Sequence, residues 1–278
     1  VIGEIMKSIF LGAIALVSAA AAAPAFAADM PVKSVAPPAP TYNWNGWYIG
    51  GNAGASWPGN SVTGYSGGPG TAALFAANEF PTSLAPGANS YLGGAQLGYN
   101  WQISRAWLVG LEADFQGWSY KGNSSTTPTT NLTPFLTSVE QHSDWFGTVR
   151  GRAGLLIGPN VLFYATGGFA YGQTESSQST IAQGFTLATC PAALPCAAAS
   201  ATSTRYGWAA GAGWEIMATQ NWTIRAEYLF VDLGVQSLAA KTAAFAPAVT
   251  FTSANEFRAN MLRVGFNYMF GGPVVAKY

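Results

Sequence analysis

Four places in this 278-residue chain hold residue types that could do chemistry. The first is His142-Ser143-Asp144, where the only histidine stands beside a hydroxyl and a carboxylate. A base next to a nucleophile is the arrangement of acyl-transfer enzymes and proteases. Adjacent residues of an extended strand point to opposite faces, however, so His142 and Ser143 do not readily share a site. No second ligand at metal or haem spacing accompanies the histidine. The expectation is a non-catalytic histidine, with no enzyme activity, no metal and no cofactor. The second place is Cys190 and Cys196, within CPAALPC. Their spacing is not the Cys-x-x-Cys redox pattern, and no other Cys or His supports a zinc site. The third is Gly67-Gly68-Pro69-Gly70-Thr71, which lacks the lysine and the strand-to-helix setting of a phosphate loop. It reads as a connecting loop. The fourth is a set of charges inside otherwise apolar stretches: Glu112, Asp114, Arg150, Arg152, Arg205, Glu215, Arg225, Glu227 and Arg263.

The elements that must position these charges are strands. In residues 222–230, WTIRAEYLF, alternate positions give Trp222, Ile224, Ala226, Tyr228 and Phe230 on one face and Thr223, Arg225, Glu227 and Leu229 on the other. A period of two over nine residues is a β-strand with two different faces. Seven more segments alternate likewise, at 47–57, 91–102, 107–118, 143–157, 161–172, 205–216 and 260–270. In the fourth, Asp144 falls on the face of Thr148, Arg150 and Arg152. Short turns are expected at 103–106, 158–160 and 217–221. Long polar loops are expected at 58–90, 119–142, 173–203 and 232–259. Connections therefore alternate long and short, the order of an up-and-down barrel.

Composition favours a membrane barrel over a soluble sandwich. Only 9% of residues are charged while 14% are aromatic; soluble domains carry about 25% charge. No segment after the first 27 residues approaches the roughly 20 apolar residues of a membrane helix. In a lipid-embedded barrel the apolar face meets lipid and the charges point inward. Eleven-residue strands tilted by about 40° span roughly 28 Å, close to the apolar band. Trp47, Trp57, Trp101, Trp107, Trp145, Trp214, Trp222 and Phe270 fall near strand ends, where interfacial aromatic girdles lie. The formal net charge of zero gives no support to nucleic-acid binding.

An eight-stranded interior is just wide enough for side chains. The nine inward charges are thus expected to fill the lumen as a network rather than line an open pore, and a narrow channel for small solutes is the alternative. Inward glycines would leave room for them.

The N-terminus carries Met6-Lys7, an apolar run at 9–17 and Ala25-Phe26-Ala27, the pattern of a cleaved secretory signal peptide at 1–27. Residues 1–5 precede a start-like Met6 and suggest a start codon placed too far upstream. Secretion implies an oxidising compartment, so a Cys190–Cys196 disulfide is expected to restrain one loop. Residues 28–46 are Pro-rich and read as an extended periplasmic linker. Both termini of an even-stranded barrel would be periplasmic.

Residues 47–54 (WYIGGNAG), Gly207-Trp208 through Glu215, residues 225–234 (RAEYLFVDLG) and 263–270 (RVGFNYMF) resemble the outer-membrane β-barrel immunogenic protein family of alphaproteobacteria. That family is similar in fold to the OmpA transmembrane barrel. The resemblance spans about 47–270 and implies an eight-stranded porin-like barrel in the Gram-negative outer membrane, surface exposed and antigenic. It implies outer-membrane lipid, lipopolysaccharide and the barrel assembly machinery as partners, and haemin binding is suggested for some members. No catalytic residue is carried over, and the extracellular ligand is not named by the motifs. In one departure, Phe270 is followed by GGPVVAKY (271–278), which leaves either Phe270 or Tyr278 as the terminal aromatic read in assembly. With no peptidoglycan-binding pattern read after the barrel segment, envelope tethering of the OmpA kind is not expected.

Overall fold

The computed structural model describes residues 42–67, 72, 75–78, 80–127, 135–182, 197–241 and 250–270. Among the described residues the ten strands are β1 (Gly46–Pro58), β2 (Thr63–Gly67), β3 (Ser83–Leu84), β4 (Ser90–Gln102), β5 (Trp107–Thr126), β6 (Phe135–Leu156), β7 (Val161–Ala182), β8 (Ala197–Met217), β9 (Trp222–Lys241) and β10 (Thr250–Met269). All pairings are antiparallel. Eight of the strands follow one another as β1-β4-β5-β6-β7-β8-β9-β10, and β10 pairs back onto β1 from Tyr48↔Met269 to Pro58↔Ala259. The ring is a closed eight-stranded β-barrel. Through the lower part of the ring, closure gives each of the eight strands two partners, so backbone N–H and C=O groups are satisfied there without water.

The alternation read from the sequence sets the faces. Ile49, Leu97, Leu111, Phe115, Val149, Phe169, Ile224, Leu262 and Phe266 are exposed on the outside of the ring, while their neighbours Tyr48, Gln96, Glu112, Arg150, Ala170, Arg225, Arg263 and Asn267 are buried inside. No helix among the described residues is long and apolar enough to cross a membrane; the strands carry the apolar surface. At the end with the short turns, Trp47, Trp101, Trp107, Trp214, Trp222 and Phe270 point outward; Trp57 and Trp145 do so further toward the other, loop end.

Of the long loops expected at 119–142, 173–203 and 232–259, the described residues are almost all strand. The strands β5 to β10 run 20–22 residues, about 50 Å of barrel at a tilt near 40°, twice the ~25 Å apolar band. The reason is physical. Beyond the apolar band the outer face turns polar and the inner face is mixed, so hydrophobic alternation fades from the sequence while most of the hydrogen-bond ladder continues. The 58–90 connection also contains β2 and β3: β2 pairs with the upper part of β10 (Asn255↔Thr63 to Phe251↔Gly67), beyond the end of the shorter β1.

Two irregularities re-aim side chains. Near the middle of β6 the register slips against both neighbours, between Trp145 and Ser143 on the β5 side and between Phe146 and His142 on the β7 side. Inward positions on β6 are therefore even at 146–156 and odd at 135–143. Asp144, expected on the inner face, is exposed on the outside for this reason. On β9, an extra residue lies between Asp232↔Arg258 and Val235↔Glu256. Gly234 sits there at φ +74°, a backbone region that other residues enter only with strain. Its N–H donates to Asp232 Oδ1 at 2.7 Å, and Arg258 Nε donates to Asp232 Oδ2 at 2.9 Å.

Candidate functional site: the barrel interior

The interior is layered. At the turn end lies an apolar plug of Trp44, Tyr48, Leu108, Leu156, Leu162, Tyr164, Met217 and Met269. Trp44 precedes β1, in the stretch expected to be a periplasmic linker. Its indole is 1% exposed and donates to the Pro159 carbonyl of the β6–β7 turn at 3.1 Å. The linker's last residues thus turn back under the barrel floor.

Above the plug, eight of the nine charges singled out by sequence meet. Cross-strand register places Glu112 opposite Arg150, Glu215 opposite Arg225 and Glu227 opposite Arg263. Arg150 reaches Glu112 and Asp114 at 2.7 Å each and Glu227 at 2.9 Å. Arg225 pairs with Glu112 and, at 2.8 Å, with Glu227. Arg152 reaches Glu215 at 2.6 Å, and Arg263 pairs with Glu227 and Asp114. Four guanidiniums thus face four carboxylates, all buried. Because the counts match, the layer is neutral, which offsets much of the cost of taking each charge out of water.

Tyrosines and amides complete this layer. The Tyr48 hydroxyl donates to Glu112 and the Tyr164 hydroxyl to Glu227, each at 2.7 Å. The Arg152 guanidinium lies over the Tyr164 ring at 4.4 Å, within cation–π range. Where β1 and β4 bring no charge, Asn52 donates to Gln96, Gln96 to Asn267 at 2.8 Å, and Asn267 to Glu215 at 2.7 Å. Inward glycines make the space: a Cβ on Gly98 would run into the Tyr48 ring, and one on Gly213 into the Tyr164 ring.

A second apolar layer covers the charges on the loop side, with Leu92, Trp118, Tyr120, Phe146, Leu229 and Phe257 among its members. Trp118 makes edge contacts with Phe146 at 5.2 Å and Phe257 at 5.5 Å between centroids. Its indole donates to Ser56 Oγ at 2.9 Å. Beyond it the interior is polar again, with buried Thr137, Gln141, Ser143, Thr174, Ser176, Gln178, Ser253 and Asn255. Arg205, the ninth charge, lies in this upper compartment, apart from the other eight. At the loop end, buried Phe80 from the β2–β3 connection packs on Phe135 at 5.7 Å and near Tyr65 at 6.4 Å. Burial raises the Tyr65 phenol above its ordinary range, so it stays neutral.

The His142-Ser143-Asp144 group does not converge. His142 Nε2 lies 2.8 Å from Asp144 on the outer surface, and its Nδ1 is 3.0 Å from the Tyr120 carbonyl. Ser143 is buried on the opposite face and donates to the Gln173 carbonyl at 2.8 Å. Cys190 and Cys196 lie outside the described residues, as do Gly68, Pro69, Gly70 and Thr71.

The sequence profile of the outer membrane protein beta-barrel domain matches residues 13–270. The chain belongs to that family. It resides in the outer membrane, and the apolar exterior of the barrel is its lipid-facing surface. Over 275 residues, covering 95% of this chain and 100% of the relative, it is 35% identical to the 31 kDa outer-membrane immunogenic protein of Brucella melitensis biotype 1. It is 29% identical to the 22 kDa outer membrane protein of Rhizobium leguminosarum bv. viciae, over 71% of this chain and 68% of that protein. Among solved structures, the outer membrane protein OprG from Pseudomonas aeruginosa matches with a TM-score of 0.48 and 13% identity, covering 83% of this chain and 99% of that one.

Sequence reasoning missed several members of this family barrel's interior. Trp44 was hidden by the Pro-rich run before it. Tyr48 and Tyr164 had the right parity but were not matched to carboxylates. The motif Asp232-Leu233-Gly234 was visible only as a family signature; the structure makes it the β9 bulge and its hydrogen-bonded brace.

Proposed function

We propose that this protein is a closed, non-catalytic scaffold of the outer membrane that projects a rigid barrel rim and its loops beyond the lipid headgroups. The observation that carries the reading is the stacking of the interior: a neutral, mutually paired charge layer sealed by the Trp44 plug on one side and the Trp118 layer on the other. Water and ions crossing such a lumen would have to pass two apolar layers and break buried ion pairs. The name of the Brucella relative, an immunogenic outer-membrane protein, supports surface display of the far end. In this reading the turn end and both termini are periplasmic. The outward His142–Asp144 pair, with Ser143 on the other face, supports a structural histidine rather than a rim protease site.

Planar-bilayer recording of the refolded protein tests this. The wild type and the Arg150→Ala/Arg225→Ala variant are both expected to be silent at the single-channel level, because the apolar layers persist in the variant. Steady unit conductance from the wild type overturns the scaffold reading in favour of a narrow channel.

A further inference from the structure

The outer wall changes character just above the lipid-facing belt on β5, β6 and β7. Trp145 on β6 marks the top of that belt. It stacks on Phe115 at 5.5 Å and meets Tyr171 edge-on at 6.1 Å between centroids. Its indole N–H donates to Gln173 Oε1 at 3.2 Å. An aromatic with an apolar body and a bonded polar end is the residue of the boundary between acyl chains and headgroups. The next outward residues toward the loop end therefore lie at headgroup level.

Those residues are Lys121 and Asn123 on β5, Glu140 and His142 on β6, and Glu175 and Ser177 on β7. Lys121 is opposite His142, and His142 is opposite Glu175. One row higher, Asn123 is opposite Glu140, and Glu140 is opposite Ser177. Together they line an outward hollow of about 400 Å³. It lies over the β6 slip, where the His142 ring is held between the Tyr120 carbonyl and Asp144.

The charges of this hollow do not satisfy one another. Asp144 is engaged by His142 at 2.8 Å. Lys121, Glu140 and Glu175 are exposed, and among the described residues none of the three has an ion pair or a side-chain hydrogen bond. A bare cation on β5 thus stands beside two bare carboxylates on β6 and β7. Lys121 and Glu140 are diagonal neighbours of the β5–β6 pair, a separation of about 7–8 Å. The excess of one negative charge disfavours an anion as sole occupant. Lys121 at its edge disfavours a metal ion, and no group of three metal-ligating side chains occurs among the described residues. The pattern fits a headgroup that carries both signs.

We propose that this hollow seats the headgroup of a zwitterionic phospholipid, its phosphate against Lys121 and its primary ammonium between Glu140 and Glu175. Ammonium N–H groups donate to carboxylates, and a lysine ammonium donates to phosphate. The hollow is continuous with the lipid-facing surface through Trp145, so the acyl chains of the same lipid lie against exposed Phe115, Val149 and Phe169 below. Anionic phosphatidylglycerol supplies the phosphate and leaves both carboxylates without a partner.

Retention of lipid by the refolded full-length barrel tests this. The protein is taken from nanodiscs assembled with equal parts of phosphatidylethanolamine and phosphatidylglycerol, exchanged into detergent, and its retained lipid is measured by mass spectrometry. Wild type is expected to enrich phosphatidylethanolamine about fivefold, the effect of one charge at a membrane surface. Glu140→Gln/Glu175→Gln is expected to abolish that preference, since Lys121 then stands alone and accepts either phosphate. Lys121→Gln is expected to lower the retained phosphatidylethanolamine by about fivefold. All three side chains are on the exposed outer wall, so the heat-dependent gel shift should report folded barrel in each variant. Equal retention by wild type, a preference for phosphatidylglycerol, or enrichment unchanged in either variant overturns the proposal. These readouts do not depend on whether the lumen conducts, so the proposal and the scaffold reading fail separately.

Discussion

Replacing Arg225 by Met removes one of four cations from a sealed layer of four anions. Arg225 contacts Glu112 and, at 2.8 Å, Glu227. After its loss Glu112 keeps Arg150 at 2.7 Å, and Glu227 keeps Arg150 at 2.9 Å and Arg263. No carboxylate is orphaned, but the layer carries one uncompensated negative charge between two apolar layers. Breaking a buried pair this way costs about 3–5 kcal/mol. With a urea dependence of about 2 kcal/mol per molar, the unfolding midpoint should fall by about 2 M. The counterpart Glu227→Gln leaves one excess positive charge and is expected to cost about as much.

The double variant restores neutrality at three against three. Its cost should be less than the sum of the two by about 1–3 kcal/mol, the coupling typical of neighbouring charged groups. The assay is urea unfolding of the barrel in lipid vesicles, followed by tryptophan emission and by the heat-dependent gel shift of folded barrels. If the two single costs simply add, the charges do not act as one balanced layer, and the account of the lumen given above is wrong.

Trp44→Ala should destabilise the barrel by about 3–5 kcal/mol, the cost of emptying a buried aromatic site. Trp44→Phe should cost about 1 kcal/mol, chiefly for the lost bond to Pro159; thermal gel-shift midpoints compare them. Gly234→Ala should cost about 1–2 kcal/mol, because its φ of +74° disfavours a Cβ, and urea midpoints read that loss. Asp144→Asn should change the stability read from that midpoint by less than about 1 kcal/mol, since its pair with His142 lies on the exposed exterior; a larger loss would mean that this pair, rather than the backbone, holds the β6 bulge.

How much was legible follows from where alternation survives. The eight strands are plain in the sequence wherever one face meets lipid, as in Trp222, Ile224 and Tyr228 against Thr223, Arg225 and Glu227. Opposite charges on adjacent strands, such as Glu112 and Arg150, could be placed in the lumen by parity alone. Their pairing required register, which turn lengths only approximate. The same reasoning failed where its premise lapsed. In 119–126 and 135–142 the outer face is no longer apolar and the inner face mixes Tyr120, Phe135 and Val139 with polar residues, so strand looks like loop. At the β6 bulge one extra residue inverts parity, which is why Asp144 was assigned to the wrong face while Arg150 and Arg152, below the slip, were not. Trp44 precedes any alternating segment, and only the tertiary contact with Pro159 reveals what it does.

The bulge at Gly234 links these failures to the molecule's design. Below it the barrel wall is complete, its interior charges cancel, and apolar layers close it at both faces. Above it the β8–β9 ladder ends, its last pair being Trp208↔Asp232, the interior loses its carboxylates, and Arg205 has Asp232 as a more distant electrostatic partner. A single conformational feature, one left-handed glycine braced by Asp232 and Arg258, marks the level where the requirements of lipid end. Inside the apolar band every strand must be paired and every charge balanced, because water is absent to do either. Past that band neither condition is imposed, so the β8–β9 ladder can stop and Arg205 can do without a close ion pair while the fold holds.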